Sequence, residues 1–299
     1  MAVDLDVIIV TYNSVHVIGD LLDSLPAALD GLTAEVIVVD NGSGDGTAEV
    51  AEKLGGCRVV RSANVGYAGG INRGVREAAG ADAILILNPD VRLHERSLPP
   101  LLAELRNRGA GIVVPQVRSP QGHLDCSLRR DPTVLRAMGL NWTGLSSLSE
   151  YVTGKAAYAC ARTVDWALGA ALVMSRECYE AIGGWDESYF LYSEETDVCL
   201  RARDHGFLTR YEPLSVVTHI GGQSGRNDWT HAMQIVNRVR LHRRRHGALA
   251  SWCYYWLTIM SELSWVARGH RQSRAAIAAL LKPSRRPAEL GCSDRLMPC

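Results

Sequence analysis

The sequence has no excess of charge of either sign. Its 299 residues carry 32 Lys and Arg and 32 Asp and Glu, so the formal net charge is zero. Proteins that hold nucleic acid mainly by its phosphates need a basic field that releases counterions, and we therefore exclude nucleic acid as the main partner. Hydrophobic residues make up 47% of the chain. That content is enough to bury a sizeable core, and it is not typical of a disordered chain.

Several patterns that would indicate a particular site or compartment are also absent. The eight cysteines are scattered, without a C-x-x-C pair or zinc-like spacing, which favours a reduced protein over a disulfide scaffold and implies no structural metal. The opening Met-Ala-Val-Asp-Leu-Asp lacks the basic stretch of a signal peptide, so we expect a cytoplasmic protein. Neither a Walker A sequence nor a G-x-G-x-x-G fingerprint is present.

Short apolar runs alternate with helical stretches over about the first 115 residues. The runs end in small or acidic residues, as buried parallel strands do, and cover 7–10, 36–39, 58–60, 84–87 and 112–114. Apolar residues three and four apart predict helices over 15–29, 47–54, 70–79 and 97–108. This repeat predicts an α/β fold with a mostly parallel central sheet. Weaker signals predict an irregular segment over 117–158. The pattern of residues 166–205 predicts an α+β extension of the same sheet, with a last helix over 196–205.

Beyond His219 the pattern is helical and basic. An apolar run over 248–260 is too short for a hydrocarbon core that requires about 20 residues. It contains Trp252 and Trp256, and it is preceded by the arginines Arg238, Arg240, Arg243, Arg244 and Arg245. Cations beside aromatic rings suit a helix at an anionic membrane surface, so 238–260 is a candidate for peripheral contact with the inner face of a membrane. A helical hairpin packed on the rest of the chain, or on a second copy in a homodimer, fits the same pattern, and both interpretations stay open.

Polar residues follow several of the predicted strands. In a parallel α/β sheet, ligands bind at the carboxyl ends of the strands, which is where these residues lie. They form four blocks, 11–14 (Thr-Tyr-Asn-Ser), 40–47 (Asp-Asn-Gly-Ser-Gly-Asp-Gly-Thr), 64–74 (Asn-Val-Gly-Tyr-Ala-Gly-Gly-Ile-Asn-Arg-Gly) and 88–90 (Asn-Pro-Asp). Each has an ordinary explanation, since Asn13 or Ser14 suits a helix cap and the other blocks suit turns or a helix entry. The functional alternatives are a nucleoside at Asp40, a diphosphate at the helix start and a divalent cation at Asp90.

Together, the four blocks resemble the nucleotide-sugar-binding half of family 2 glycosyltransferases with the GT-A fold. Residues 8–14 and 38–43 are similar to the first two blocks of that family, and 88–90 occupies the place of its metal-binding D-x-D. Residues 64–74 are similar to a block of the rhamnosyltransferase-like branch. The likeness continues through 169–171, 183–187 and 194–201 to His219, and covers about residues 5–225. The sequence departs from the family pattern at Asn88, which replaces the first acid of D-x-D, and at Glu195, which replaces the Asp of the usual E-D pair.

The resemblance implies a Rossmann-like GT-A domain over 1–225 and a helical extension over 226–299. Within the domain, 1–115 would be the nucleotide-binding half and 116–225 the acceptor and catalytic half. The implied reaction moves a sugar, with inversion, from a nucleoside diphosphate donor to an acceptor hydroxyl, with Mg²⁺ or Mn²⁺ as cofactor. The implied donor is a dTDP- or UDP-sugar such as dTDP-rhamnose. The acceptor is either lipid-linked, in a cell-envelope pathway, or a small molecule.

The resemblance also implies the site residues. Glu195 would be the general base with Glu194 beside it, Asp90 and His219 would bind the metal, and the acceptor and sugar pocket would contain Trp166, Trp185 and Asp197. The residues implied for donor binding are Thr11, Tyr12, Asn13, Asp40, Asn41, Asn64, Gly69, Asn72, Asn88 and Asp90. Taken as residues alone, both tryptophans suit core packing equally well, a lone histidine at a strand end is more often structural, and the acids suit a helix N-terminus.

Two functions of other classes are alternatives. A nucleotidyltransferase that makes the sugar nucleotide favours a basic residue soon after the first strand, but 11–20 contains no Lys or Arg. A non-catalytic nucleotide-binding partner would not need the acids at 194, 195 and 197. Like charges that lie close together raise one another's pKa, which suits a proton acceptor, so the acid cluster favours the enzyme.

Overall fold

The computed structural model describes residues 3–140, 143–221, 227–292 and 294–297. The strands are β1 (Leu5–Thr11), β2 (Ala34–Asp40), β3 (Arg58–Arg61), β4 (Ala83–Leu87), β5 (Val91–Leu93), β6 (Ala110–Arg118), β7 (Leu128–Arg129), β8 (Arg162–Val164), β9 (Trp166–Ala167), β10 (Ala171–Ser175) and β11 (Leu208–His219). The α-helices are α1 (Ile18–Leu29), α2 (Thr47–Leu54), α3 (Gly66–Glu77), α4 (Leu98–Leu105), α5 (Arg176–Ala181), α6 (Glu194–Asp204), α7 (Asp228–Arg245), α8 (Ala248–Ala267) and α9 (Gln272–Leu281).

A nine-stranded sheet in the described residues has the order β3-β2-β1-β4-β10-β6-β11-β5, with β8 also paired to β11. Strands β3, β2, β1, β4, β6 and β11 run in one direction, and β10, β5 and β8 run in the other. The expected α/β fold with a mostly parallel sheet is therefore confirmed. The register of β1 on β2 places Thr11 opposite Asp40, so the first two polar blocks meet at one edge of the sheet.

The two faces of the sheet bury separate cores because side chains of a strand point alternately to opposite faces. Val7 and Ile9 lie in the core beneath α1 and α4, whereas Ile8 and Val10 lie in the core beneath α3. Glycines let α3 approach the sheet closely. A Cβ on Gly74 would lie 2.5 Å from Ile8 Cγ2, so part of the glycine-rich block at 64–74 has a packing explanation.

The elements of the second half differ from expectation in two places. Helix α6 begins at Glu194, two residues earlier than predicted, so both glutamates lie in its first turn rather than ahead of it. The twelve-residue strand β11, of which the sequence pattern indicated only the end before His219, carries His219 at its carboxyl end. The predicted boundary between 225 and 226 lies outside the described residues.

The arginines of α7 are engaged within the protein. Arg238 pairs with Glu150, Arg240 and Arg244 with Asp294, and Arg245 with Asp204. Arg244 also pairs with Asp186 at 2.7 Å. Four of the five arginines thus have acidic partners within the protein, and the contact of 238–260 with a membrane stays a prediction. None of the described helices is both long enough and apolar enough to cross a bilayer.

Candidate active site

The loops after β1 and β2 form one hydrogen-bonded unit around Asp40. This carboxylate is buried, and its Oδ1 accepts hydrogen bonds from Thr11 Oγ1 at 3.1 Å and from Ser43 Oγ at 2.5 Å. Asn13 has a positive φ of 51° and connects the two loops, because its N–H donates to Ser43 Oγ and its Oδ1 accepts from the Gly44 N–H. Tyr12 projects from this unit with its side chain 56% exposed. The unit holds three of the residues implied for donor binding rigidly and leaves an aromatic face open beside them.

The backbone N–H groups at the start of α3 are hydrogen-bonded to other parts of the chain. Asn64 Oδ1 accepts from the Gly66 N–H at 3.1 Å, and the Tyr67 N–H donates to the Phe190 carbonyl at 2.7 Å. Asn41 Nδ2 donates to the Gly66 carbonyl at 2.8 Å. Because the N–H groups of the first two helical residues are already bonded, this helix start does not offer them to a diphosphate, contrary to the expectation from the sequence.

Asp90 and His219 come together at the ends of β4 and β11. His219 Nε2 lies 3.3 Å from Asp90 Oδ1, and the Asp90 side chain is buried. Burial acts to lower the pKa of His219, but the hydrogen bond and charge of Asp90, with the charge of Asp125, raise it overall. Asn88 is half-buried beside them, with its N–H donated to the Ala170 carbonyl.

This pair fits part of a divalent-cation site. A carboxylate and an imidazole are ligands that Mn²⁺ accepts, and Mg²⁺ is commonly held by one or two carboxylates together with substrate phosphates. Among the described residues, no three His, Cys, Asp or Glu side chains form a preformed metal cluster. The remaining coordination positions would therefore fall to oxygen atoms of a ligand or of water.

Glu194 and Glu195 lie in the first turn of α6 in environments that separate their chemistry. Burial raises the pKa of Glu194 well above its usual value, and the neighbouring charge of Glu195 raises it further. Burial also raises the pKa of Glu195, but the charge of Arg129 acts in the opposite direction. Both carboxyl groups therefore hold a proton more readily than a free glutamic acid, and the charge of Arg129 favours the ionised form of Glu195. Gly169 makes room for it, since a Cβ there would lie 3.2 Å from Glu195 Cβ.

Comparison with known proteins identifies the family of this chain. Residues 6–146 match the sequence model of glycosyl transferase family 2. Over 246 residues the chain is 31% identical to the N-acetylglucosaminyl-diphospho-decaprenol L-rhamnosyltransferase of Mycobacterium tuberculosis, a match that covers 76% of this chain and 80% of the relative. The chain belongs to glycosyltransferase family 2.

Other relatives of this glycosyltransferase support the same branch and fold. The rhamnosyltransferase WbbL of Escherichia coli is 26% identical over 243 residues, which cover 76% of this chain and 88% of WbbL. The structure of the mannosyltransferase PcManGT from Pyrobaculum calidifontis, in complex with GDP-Man and Mn²⁺, matches with a TM-score of 0.58 and 17% identity, over 97% of this chain and 82% of that one. The expected GT-A fold is thus confirmed, and family membership replaces the nucleotidyltransferase alternative.

Asn72 of the glycosyltransferase holds the fold together, contrary to the expectation that it binds the donor. Its Nδ2 donates to the Trp185 carbonyl and to Glu187 Oε1, at 2.8 and 2.9 Å. Its Oδ1 accepts from the Trp185 N–H at 3.0 Å and from the Tyr179 hydroxyl at 2.9 Å. An amide can make four such bonds. No hydrogen-bonding capacity of Asn72 is therefore left for a substrate, and its contacts fix the loop that carries Trp185. Gly69, another residue implied for donor binding, is buried within α3 against Val65.

The implied acceptor and sugar pocket is only partly assembled. Asp197 is buried and accepts a 2.6 Å hydrogen bond from Arg201 Nε, and this guanidinium also donates to the carbonyls of 182 and 184. Trp166 is buried and donates its indole N–H to the Arg130 carbonyl. These contacts assign both side chains to the packing of α6 and β9 rather than to a sugar. Trp185 is also buried, but its Nε1 has no hydrogen-bond partner among the described residues.

Tyr67, which the sequence did not single out, is a buried residue whose hydroxyl feels the charges of both Asp90 and the acids of α6. Burial raises the pKa of its hydroxyl, and the charges of Glu194, Glu195 and Asp90 raise it further. The hydroxyl is buried without a hydrogen-bond partner in the described residues, and the ring meets that of Trp185 edge-on, with centroids 6.4 Å apart. Its place in the block at 64–74 was the only signal in the sequence, since a tyrosine on a helix is ordinary core material.

Proposed function

We propose that this glycosyltransferase transfers a rhamnosyl group, with inversion, from dTDP-rhamnose to a hydroxyl of a lipid-linked acceptor, with the help of Mg²⁺ or Mn²⁺. The observation that carries the proposal is the pair of Asp90 and His219, 3.3 Å apart, in a chain that is 31% identical over 246 residues to a rhamnosyltransferase. The mycobacterial relative, an L-rhamnosyltransferase with a decaprenol-linked acceptor, supports the sugar and the acceptor. The cation follows from the Asp90–His219 pair and from the Mn²⁺ of the mannosyltransferase structure.

The proposed reaction divides the work among these residues. The loop unit of Thr11, Tyr12, Asn13 and Asp40 binds the nucleoside, with Asn41, Asn64 and Asn88 at its border. Asp90 and His219 would hold the cation, which supplies positive charge to the leaving diphosphate. Glu195 accepts the proton of the acceptor hydroxyl while that oxygen attacks the anomeric carbon from the face opposite the diphosphate, which inverts its configuration. Burial and the charge of Glu195 favour the neutral form of Glu194, which would add no repulsion.

The general base is tested by a comparison of two glutamine variants. Glu195→Gln keeps the size of the side chain but removes the proton acceptor, so kcat should fall by about 10²- to 10⁴-fold while the Kd for dTDP-rhamnose with Mn²⁺ is retained. Glu194→Gln should cost much less. The acceptor is a short-chain prenyl-diphospho-N-acetylglucosamine, and NMR of the product shows whether the anomeric configuration is inverted. Normal turnover by Glu195→Gln and an inactive Glu194→Gln would move the base to residue 194.

We also infer that α8, rather than the arginines of α7, makes the membrane contact suited to such an acceptor. Apolar side chains three or four residues apart lie on one face of this helix and are 38–78% exposed: Leu249, Trp252, Trp256, Met260 and Leu263. The segment 247–292 has six Lys and Arg against two Asp and Glu, although the whole chain is neutral. An apolar face within a basic region matches the chemistry of an anionic lipid surface.

Flotation with vesicles that contain phosphatidylglycerol tests this contact. The paired change Leu249→Glu and Met260→Glu should abolish binding, and phosphatidylcholine vesicles should bind less protein. Leu214→Glu is the matched control because Leu214 on β11 is 77% exposed, as against 78% for Leu249. A homodimer that the paired change dissociates, with no vesicle binding by the wild type, would assign this face to a second copy instead.

A further inference from the structure

The segment directly before Glu194 has a strained backbone. Phe190 has φ 57° and ψ −61°, and the Leu191 N–H donates to the Tyr189 carbonyl at 2.6 Å. This is a γ-turn with positive φ, a rare and strained conformation. Tyr192 and Ser193 follow with φ values of 69° and 72°, a region that residues with a side chain seldom adopt. Strain of this kind persists only where the surrounding structure holds it.

Asn237 of α7 makes many of the hydrogen bonds that keep this segment in place. Its side chain is fully buried, and its Nδ2 lies 2.7, 2.9 and 3.0 Å from the carbonyl oxygens of Tyr189, Leu191 and Tyr192, which share its two hydrogens. The carbonyl between them, of Phe190, accepts from the N–H of residue 67 on α3. Each carbonyl from 189 to 192 therefore has a donor. The segment is clamped between α3 on one side and a helix of the C-terminal region on the other.

We propose that Asn237 is a positioning residue for Glu195, so that the C-terminal helix α7 takes part in catalysis by fixing the start of α6. This inference rests on the proposed role of Glu195 as the base. Ser193 directly precedes α6, so a change of its backbone turns the helix start and displaces Glu195 with it. A proton acceptor must lie about 2.6–3.2 Å from the proton donor, and a misplacement of about 1 Å can cost on the order of 10²-fold in rate.

The first test is the loss of the clamp. Asn237→Leu keeps a similar volume but removes the amide, so kcat should fall by roughly 10²-fold while the Kd for dTDP with Mn²⁺ changes by less than about 2-fold. Asn237→Gln retains an amide and should recover part of the loss. Thr258→Val is the matched control, because Thr258 is a buried residue of α8 whose hydroxyl donates to the Tyr254 carbonyl and not to the 189–193 segment. Its kcat should equal that of the wild type.

A double-mutant cycle separates positioning of the base from a general structural role. If Asn237 acts through Glu195, then Asn237→Leu should lower the residual turnover of Glu195→Gln by less than about 3-fold. Equal losses in both backgrounds, or wild-type turnover of Asn237→Leu, would overturn the proposal. Should Asn237→Leu not fold, the same cycle with Asn237→Gln gives the answer by the same criterion. A failure of the base itself is seen separately, as normal turnover of the single variant Glu195→Gln.

Discussion

Gly66→Ala places a single methyl group against the segment that leads to the proposed base. A Cβ at this position would lie 2.5 Å from the Phe190 carbonyl oxygen and 2.7 Å from its Cα, and Gly66 has a φ of 80°. The left-handed conformation costs an alanine about 1–2 kcal/mol. The overlap with backbone atoms that α7 already clamps adds about 1–3 kcal/mol. We therefore expect the free energy of unfolding to fall by roughly 2–5 kcal/mol.

Gly31→Ala is the control for the first of these two costs. Gly31 has a similar φ of 89°, but nothing lies within 4 Å of its Cβ position. Urea unfolding should therefore show a loss of only about 1–2 kcal/mol for this variant, with normal turnover. Gly66→Ala should in addition lose turnover, because Phe190 must move and Glu195 moves with it. Equal unfolding free energies and equal turnover of the two variants would refute the close approach of α3 to this segment.

Three further changes test the remaining parts of the site. Asp90→Ala should lose the Mn²⁺-dependent rise in melting temperature that dTDP-rhamnose gives the wild type. If this variant kept full activity and a chelator did not inhibit the wild type, Asp90 would have no role in metal binding. Glu194→Gln should stabilise the protein at pH 7–8. The raised pKa of Glu194 means that the folded state binds its proton more tightly than the unfolded state does. The free energy of unfolding of the wild type therefore declines as pH rises from about 4 through that pKa. Urea unfolding of both proteins at pH 4 and pH 8 should show the gain in stability only at pH 8. Tyr67→Phe removes a hydroxyl without a partner in the described residues, so calorimetry should find unchanged or higher stability, and kinetics should find a lower turnover. A loss of stability with normal turnover would make this hydroxyl structural.

Periodicity predicted the nucleotide half of the fold because its elements are local and regular. Helix α2 has the bounds 47–54 that the apolar spacing indicated. The parallel arrangement followed from the alternation of strands and helices, and it brought Thr11 and Asp40 together at the sheet edge. Only the end of strand β11 was predicted. Its first half mixes polar and charged residues such as Thr209, Arg210 and Glu212 with apolar ones, and its pairing with β6 depends on a segment about 100 positions earlier in the chain.

The sequence was a poorer guide to which polar side chains are free. Asn72 has the residue type and location of a ligand-binding amide, but the backbone it bonds lies 113 positions later. The sequence pattern of the arginines of α7 indicated a basic surface. In the structure, Arg238 forms an ion pair with an acid 88 positions away along the chain, and Arg244 forms one with an acid 58 positions away. A local pattern reports the charge of a residue and the side of the helix on which it lies. It carries no information on whether a distant part of the chain compensates that charge.

Some of the deviations from ordinary structure involve the first turn of α6 and its neighbours. Tyr67 Oη, Trp185 Nε1 and Glu194 Oε2 are buried without partners in the described residues, and the strained turn at Phe190 lies directly ahead of Glu194. A buried polar group without a partner costs about 1–3 kcal/mol, and a strained residue costs a similar amount. Such costs are tolerated where a ligand completes the missing bonds. The expected place of Trp185 in the sugar pocket would account for its unpaired indole N–H, because each hydroxyl group of a sugar both donates and accepts.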